Sequence, residues 1–213
     1  MRRVGRKERE YRERRSAVLR AAELIFSKKG FHKSTMAEIA QIAEFATGTL
    51  YNFFKNKADL YLTVIEEKSE ELFQFIGKEL ANVRGSLEEK ITSLINAHLS
   101  FFEKNSNFFK IFLTQRAAFE GVARDEIGNE VHKIYLKYVD MIAEIIEGGI
   151  KRGELKGLNP REASYALLGM LNSIIIYWLT SDKKKGSLTP KASALVEIFF
   201  KGTTTNPSPS QPT

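Results

Sequence analysis

The apolar residues near the N-terminus recur at helical spacing. Four of them share one face of a helix that we predict between Arg12 and Lys29. They are Val18, Ala22, Ile25 and Phe26. Gly30 follows directly, and we expect it to end this helix in a left-handed C-cap, because glycine adopts positive φ at little steric cost.

A second, short helix is predicted from a capping box in which Thr35 precedes Glu38 by three residues. Its apolar positions also fit one helix face. They are Met36, Ile39, Ala40 and Ala43. Because a helix this short is marginal by itself in water, neighbouring helices must hold it.

A third helix is expected after a break at residues 44–45. It runs from Ala46 or Thr47 to Phe54, and Leu50 points toward the first two helices. Its other positions near the start are small or polar and face outward. They are Thr47, Gly48, Thr49, Tyr51 and Asn52.

The remainder of the chain is also predicted to be helical, because no stretch alternates with the two-residue period of a strand. The expected helices cover residues 58–82, 87–104, 107–119, 125–152, 160–181 and 189–201. Ser86 precedes Glu89 by three residues in a second capping box, and Pro160 and Pro190 suit first helical turns.

These elements predict an all-α protein with two domains. Residues 1–60 form a three-helix N-terminal domain, of which residues 1–11 are expected to be a flexible basic arm. Residues 61–201 form a helical C-terminal domain. The polar, proline-rich residues 202–213 are expected to be a disordered tail.

Positive charge is concentrated at the N-terminus. Residues 1–60 contain 14 Lys and Arg against 7 Asp and Glu, whereas residues 61–213 contain 19 of each. A localised excess of this kind suits phosphate binding, because neutralised phosphates release counterions. For residues 2–15 taken alone, a solvated basic tail is an equal alternative.

Composition argues against several classes of protein. The chain has no cysteine, and its three histidines are too scattered to predict a metal or acid–base site. There is no glycine-rich phosphate loop and no nucleophile elbow, so we predict neither an enzyme nor a bound metal or cofactor. No secretory signal is evident, and the apolar run at residues 166–179 is interrupted and too short for a bilayer, so we expect a cytoplasmic protein without a membrane partner.

Two short helices joined by a tight turn and braced by another helix form a helix-turn-helix, the geometry that places one helix in the DNA major groove. Here the two helices are the second and third predicted ones, and residues 1–60 are predicted to be a DNA-binding domain. The polar face of the third segment suits that role, because each base pair offers a distinct set of donors and acceptors there. Gly48 is costly inside a helix, and close approach to DNA would explain it. For Tyr51 the alternative is a half-buried structural brace.

Residues 18–61, VLRAAELIFSKKGFHKSTMAEIAQIAEFATGTLYNFFKNKADLY, resemble the tetracycline-repressor (TetR) family of bacterial regulators. The likeness is most specific at particular residues. They are Ala21, Ala22, Phe26, Gly30, Phe31, Ser34, Thr35, Ile39, Ala40, Gly48, Thr49, Leu50, Tyr51, Phe54, Lys55, Lys57 and Leu60. The resemblance implies a repressor that binds double-stranded DNA as a homodimer.

The resemblance also assigns contacts to residues. Base edges and nearby phosphates would be contacted by Thr47, Gly48, Thr49, Tyr51 and Asn52, and backbone phosphates by Ser34, Thr35, Lys55 and Lys57. For either lysine, an equal alternative is a solvent-exposed position in a turn that does not contact DNA. Two residues depart from the family pattern. Glu44 replaces a turn glycine, at a position where a left-handed backbone is expected, and Ala46 replaces the usual cap of the third helix, which would be the recognition helix. Both substitutions put operator affinity in doubt.

The last two predicted helices, residues 160–181 and 189–201, carry more apolar surface than one core face requires. We therefore predict that they form the homodimer interface as a four-helix bundle, the alternative being an internal core of a monomer.

Aromatic residues are dense in the middle helices, where plain core packing is the alternative to a ligand cavity. The family's inducer sites favour the cavity. Candidate contacts to a small hydrophobic or amphipathic effector are His98, Phe102, Phe109, Phe112, Arg116, Tyr138 and Trp178. Arg116 would contact an anionic or carbonyl group, or else pair internally with Glu120. A DNA-binding regulator without small-molecule control is the alternative function.

Overall fold

The computed structural model describes residues 5–119, 126–155, 157–181 and 186–203. Within these ranges every regular element is a helix, and no strand occurs. The helices are α1 (Arg6–Lys29), α2 (Met36–Ala43), α3 (Thr47–Leu50), α4 (Lys57–Ala81), α5 (Leu87–Lys104), α6 (Ser106–Phe119), α7 (Glu126–Lys151), α8 (Pro160–Thr180) and α9 (Ala192–Thr203), and a short 3₁₀ helix at Thr189–Lys191 leads into α9. The all-α prediction is confirmed.

The chain divides into two units that differ from the sequence-based domains. The first contains residues 1–71 and 105–134, and the second contains residues 72–104 and 135–213. Helix α6 and the first part of α7 therefore belong to the first unit, with α1, α2 and α3.

The N-terminal arm was expected to reach residue 11, but α1 already begins at Arg6. Two i,i+4 ion pairs support the added turns, since Glu8 pairs with Arg12 at 2.8 Å and Glu10 pairs with Arg14 at 2.6 Å. Residues 1–4 lie outside the described residues. The predicted tail at 202–213 is also outside them, except that α9 extends to Thr203.

The core of the first unit is built where α1 packs against α2 and α6. The predicted apolar faces are buried there. The largest buried side chains include Phe26, Ile39, Leu50, Leu60, Tyr61 and Phe109. The Phe26 and Tyr61 rings meet edge to face at 4.8 Å, which anchors α4 against α1. Burial of each large apolar side chain stabilises the fold by about 1.5–3 kcal/mol.

In the second unit, α5 packs against α8 and α9, and α7 passes close to the start of α5. The predicted capping box is confirmed, because the main-chain N–H groups of Ser86 and Glu89 each bond the other residue's side chain, at 2.8 and 3.3 Å. Pro160 occupies the first turn of α8 behind the side-chain cap of Asn159, whereas Pro190 lies in the 3₁₀ helix.

Helix α8 has 21 residues, so the expectation that this segment is too short for a bilayer does not hold by length. Its most apolar 18-residue window has a mean hydropathy of 1.4, and 39% of that window is buried. Core helices of soluble proteins meet the same criterion. Leu167, Leu171 and Ile175 are buried together with the polar Ser164 and Asn172, so one side of α8 packs inside the fold.

Candidate nucleic-acid interface and ligand site

The N-terminus of α2 is organised by the predicted capping box. The Thr35 side chain accepts from the Glu38 main-chain N–H at 3.2 Å, and the Glu38 carboxylate accepts from the Thr35 main-chain N–H at 3.0 Å. Hydrogen bonds from Lys29 and then Thr35 hold the pKa of Glu38 below its usual value. Thr35 is exposed, but its hydroxyl also donates to the Glu38 carboxylate at 3.1 Å, so a phosphate contact through this hydroxyl would have to replace that bond.

The turn after α2 passes through Glu44, whose φ of 60° and ψ of 38° are left-handed. Among the described residues, Glu44 is the only non-glycine with positive φ. The Phe45 N–H donates to the Ala40 carbonyl oxygen at 2.9 Å and completes the end of the helix. The predicted left-handed position is therefore confirmed, and glutamate occupies it at a cost of about 1–2 kcal/mol.

Helix α3 is shorter than predicted, because it ends at Leu50 rather than Phe54. Residues 51–53 continue as a turn, in which Asn52 and Phe53 donate to the carbonyl oxygens three residues earlier. Ala46 makes no side-chain cap, as its sequence predicted. The fold holds this short segment through Leu50, which is fully buried.

The polar side of this segment faces solvent. Tyr51 is 53% exposed, so it is not the half-buried brace that was the alternative. Gly48 and Asn52 are exposed, and Thr47 and Thr49 are partly exposed. A Cβ placed on Gly48 would meet no atom within 4 Å, so packing inside the protein does not explain this glycine. The result is a contiguous polar face on one short, well-anchored segment.

Ser34 does not suit the phosphate contact predicted for it. Its side chain is only 2% exposed, and its hydroxyl donates to the Phe31 carbonyl oxygen at 2.8 Å. The hydroxyl is therefore already used inside the loop between α1 and α2. A buried, hydrogen-bonded serine indicates a structural role at this position.

Lys57 has a structural role that its sequence did not predict. Its ammonium group donates to the carbonyl oxygens of Phe31 and Ser34, each at 2.8 Å, and lies 4.4 Å from the centre of the Phe31 ring. Lys55 is exposed, and its side chain has no ion pair among the described residues. Of the two lysines, Lys55 is thus the freer to meet a phosphate.

Sequence reasoning missed the contribution of α1 to this surface. Lys7, Tyr11 and Arg14 line a groove together with Thr49 and Asn52. The Tyr11 ring also contacts the Phe53 ring, with 5.0 Å between centroids. In the sequence, Glu8 and Glu10 each precede an arginine by four residues, Arg12 and Arg14. Ion pairs at this spacing stabilise a helix, so they indicate that α1 begins before residue 12.

Three of the predicted ligand contacts meet inside the second unit. The rings of His98 and Tyr138 stack with an interplanar angle of 5°, and His98 Nδ1 lies 2.7 Å from Tyr138 Oη. The Phe102 ring centroid is 4.8 Å from that of His98. Burial lowers the pKa of His98 to about 3 and raises the pKa of Tyr138, so both side chains are neutral near pH 7.

The other predicted contacts are distributed differently. Phe109 and Phe112 lie in α6 of the first unit, with 6.3 Å between their centroids. The side chain of Arg116 lies outside the described residues, and so does Glu120, so neither alternative for Arg116 is tested. The indole N–H of Trp178 donates to the Gly186 carbonyl oxygen at 2.6 Å, which uses its polar atom within the fold.

The outer surface of α8 and α9 carries exposed apolar side chains. Tyr177 is 62% exposed, Ile198 is 60% exposed and Tyr165 is 41% exposed. These side chains are candidates for an association surface on the two helices. Within the described residues, no cluster of three or more His, Asp or Glu side chains could hold a metal ion.

Two family profiles match the chain. Residues 18–64 match the profile described as bacterial regulatory proteins, tetR family. Residues 84–202 match the profile described as tetracyclin repressor-like, C-terminal domain. Together they cover the helix-turn-helix segment and most of the helical remainder.

Individual proteins share this arrangement over nearly the whole chain. The fatty acid metabolism regulator protein of Bacillus subtilis is 25% identical over 186 residues, which cover 87% of this chain and 93% of that protein. The structure of FadR from Bacillus subtilis in complex with stearoyl-CoA is 25% identical, with a TM-score of 0.76 over 88% of this chain and 98% of that one. The structure of AibR in complex with isovaleryl coenzyme A and operator DNA shares the fold, with 16% identity and a TM-score of 0.71 over 87% and 97% of the two chains.

Proposed function

This chain belongs to the TetR family of DNA-binding bacterial transcriptional regulators, and we propose that it binds a palindromic operator as a homodimer until an amphipathic effector releases it. In this proposal it acts as a repressor in the cytoplasm, where its DNA lies. The exposed polar face of the Thr47–Asn52 segment carries the proposal.

The DNA contacts divide between that face and its surroundings. Four polar side chains project from a segment that the buried Leu50 anchors. They are Thr47, Thr49, Tyr51 and Asn52. Because the segment is already held in place, these side chains would enter the major groove with little loss of conformational entropy. Thr35 at the start of α2 and Lys55 after the segment are exposed, and in this proposal they contact phosphates, which position the protein without reading sequence. The basic excess of residues 1–60 adds the salt-dependent attraction.

The dimer would use the exposed apolar residues of α8 and α9. Tyr165, Tyr177 and Ile198 provide large side chains that a second copy would bury. Two copies related by a two-fold axis would present two recognition segments to half-sites about 34–36 Å apart, one helical turn of DNA. Replacement of Tyr177 by Glu would then give a monomer in analytical ultracentrifugation, and the monomer would bind operator weakly.

The effector we propose is an acyl-coenzyme A thioester. FadR of Bacillus subtilis, which resembles this chain over nearly its whole length, binds stearoyl-CoA. The second unit offers an aromatic, buried setting at His98, Phe102 and Tyr138 that suits an apolar chain. Helix α4 runs from the first unit into the second, so it could carry a ligand-induced shift toward the helix-turn-helix.

The first experiment identifies the operator. Genomic fragments of the source organism are captured on the purified protein at low salt, sequenced, and tested as short duplexes by fluorescence anisotropy. A shared palindrome supports the proposal. Retention of all fragments alike, with no enriched sequence, would contradict sequence-specific regulation.

The second experiment adds stearoyl-CoA to the protein–operator complex, with free coenzyme A as the control. Release by stearoyl-CoA but not by coenzyme A supports the acyl-CoA effector. If neither compound nor a wider metabolite panel changes operator affinity, the chain is a DNA-binding regulator without small-molecule control, the alternative function. The sign of regulation is then read from transcription of a reporter behind the operator.

A further inference from the structure

His98 and Tyr138 form a buried polar pair within otherwise apolar packing. His98 is 1% exposed, and its Nδ1 atom lies 2.7 Å from the Tyr138 hydroxyl oxygen. The two residues belong to α5 and α7 and are separated by 40 positions in the chain. Only tertiary packing brings them together.

The chemistry of the pair determines where the imidazole proton sits. Burial keeps both side chains uncharged, because the pKa of His98 is lowered to about 3 and the pKa of Tyr138 is raised. A phenol is a better donor and a poorer acceptor than a neutral imidazole nitrogen. The Tyr138 hydroxyl therefore donates to Nδ1, and the remaining proton of His98 is on Nε2.

The Nε2 atom of His98 is buried and has no hydrogen-bond partner among the described residues. Buried polar atoms are nearly always paired in native proteins, so this unmet donor needs an explanation. Its surroundings are aromatic. The Phe102 ring lies 4.8 Å from the imidazole, and the Phe73 ring lies 5.6 Å from that of Tyr138.

We propose that the Nε2–H group of His98 donates a hydrogen bond to the neutral thioester carbonyl oxygen of the acyl-coenzyme A effector. Tyr138 acts as a positioning residue that fixes the imidazole tautomer and ring orientation. This inference rests on the proposed function and deepens it, because it names the group of the effector that the second unit recognises. A carboxylate fits less well, because a neutral imidazole offers it no charge to compensate its lost hydration.

The test compares two probes that differ only at the carbonyl. Stearoyl-CoA carries a thioester carbonyl, whereas S-octadecyl-CoA is the thioether with the same chain length and the same head group. We expect the wild-type protein to bind stearoyl-CoA about 10-fold more tightly, as measured by isothermal titration calorimetry, because only this probe satisfies the buried donor.

Three variants assign that preference to the pair. His98→Phe should bind both probes equally. His98→Gln should retain part of the preference, because the glutamine side-chain amide can place an N–H group near the position of Nε2. Tyr138→Phe should reduce the preference, because the imidazole then loses the hydroxyl donor that fixes its tautomer. In wild type, nitrogen-15 spectra of the ring should show a protonated Nε2 and an accepting Nδ1.

The outcomes separate this inference from the function on which it rests. If wild type binds both probes equally, or if His98→Phe keeps the full preference, the carbonyl contact is wrong while acyl-CoA control stands. If the ring spectra show the proton on Nδ1, the tautomer assignment is wrong. If wild type binds neither probe and neither probe releases operator DNA, the acyl-CoA effector and this inference fail together. The wild-type comparison and the spectra do not depend on a variant that folds.

Discussion

The Lys57 ammonium group donates a 2.8 Å hydrogen bond to the carbonyl oxygen of Ser34, the residue before the N-cap of α2. A second bond of the same length runs to Phe31. These bonds hold the first residue of α4 against the loop between α1 and α2, which leads into the helix-turn-helix. This lysine was predicted from sequence as a phosphate contact, but the fold also uses it to position α2.

Lys57→Ala should therefore destabilise the protein as well as weaken DNA binding. Removing the ammonium group takes one donor from each of two carbonyl oxygens, although that of Phe31 keeps its bond from the Ser34 hydroxyl. We expect the free energy of unfolding to fall by about 1–3 kcal/mol. Urea denaturation measures this change. Lys55→Ala is the matched control, because the exposed Lys55 side chain makes no such bonds and its loss should leave stability unchanged within about 0.5 kcal/mol. Equal stability of the two variants would exclude a positioning role for Lys57.

Thr49→Ala and Lys55→Ala should affect DNA binding in different ways. If Thr49 contacts a base edge, its loss changes the preference among operator sequences by about 1–3 kcal/mol at one position. Lys55→Ala should weaken all duplexes alike and reduce the salt slope of log K by about 0.9 if it neutralises one phosphate. Anisotropy titrations at several salt concentrations measure both effects. If Thr49→Ala instead lowers the affinity for all duplexes by the same factor, Thr49 does not contribute to sequence recognition.

Glu44→Gly should stabilise the protein, because glycine adopts the left-handed conformation that glutamate holds at a cost. We expect a gain of about 1 kcal/mol in thermal or urea unfolding. The control is Glu66→Gly at an exposed position of α4, which should cost about 1 kcal/mol because glycine is a poor helix former. Removing the Glu44 carboxylate should also tighten operator binding, most clearly at low salt.

Two adjacent glycines of α7 should respond oppositely to alanine. A Cβ on Gly149 would lie 2.1 Å from Leu87 Cδ2 and 2.8 Å from its Cγ, so Gly149→Ala should destabilise the protein by about 1–3 kcal/mol. A Cβ on Gly148 meets only the flexible end of Arg152 at 3.4 Å, and Gly148→Ala should stabilise the helix by up to about 1 kcal/mol. Thermal unfolding of both variants checks the contrast. The same sign for both would contradict the close approach of α7 to Leu87.

The buried His98 should make the protein sensitive to acid. Its pKa is lowered to about 3 in the folded chain, so below about pH 6.5 the unfolded chain binds the extra proton and the folded chain does not. Stability should therefore decrease as the pH falls from 6.5 toward 3, by up to about 1.4 kcal/mol per pH unit from this residue. Urea denaturation at several pH values measures the slope. His98→Phe should flatten it, and an unchanged slope would mean that other groups cause the acid sensitivity.

Features that depend on neighbours three or four residues apart could be predicted from sequence. The capping boxes at Thr35 and Ser86 and the proline at the start of α8 were located correctly, since each is a local hydrogen-bond or steric preference. The left-handed turn at Glu44 was also predicted, because the family pattern has glycine there. The start of α1 was placed too late, although its cause, the i,i+4 pairing of Glu8 with Arg12, is equally local.

The chain alone thus determined its helices, its basic N-terminal surface and the polar face of the Thr47–Asn52 segment. Tertiary structure decided which polar groups remain available. Ser34 is removed from the surface by packing, and Lys57 is bound to a loop 23 residues away. The His98–Tyr138 pair joins two helices whose register no local pattern specifies. Helical periodicity predicts that a side chain is buried, but its partner depends on how separate helices pack. The free energy that fixes this packing is distributed over the whole core, so no short segment of sequence specifies it.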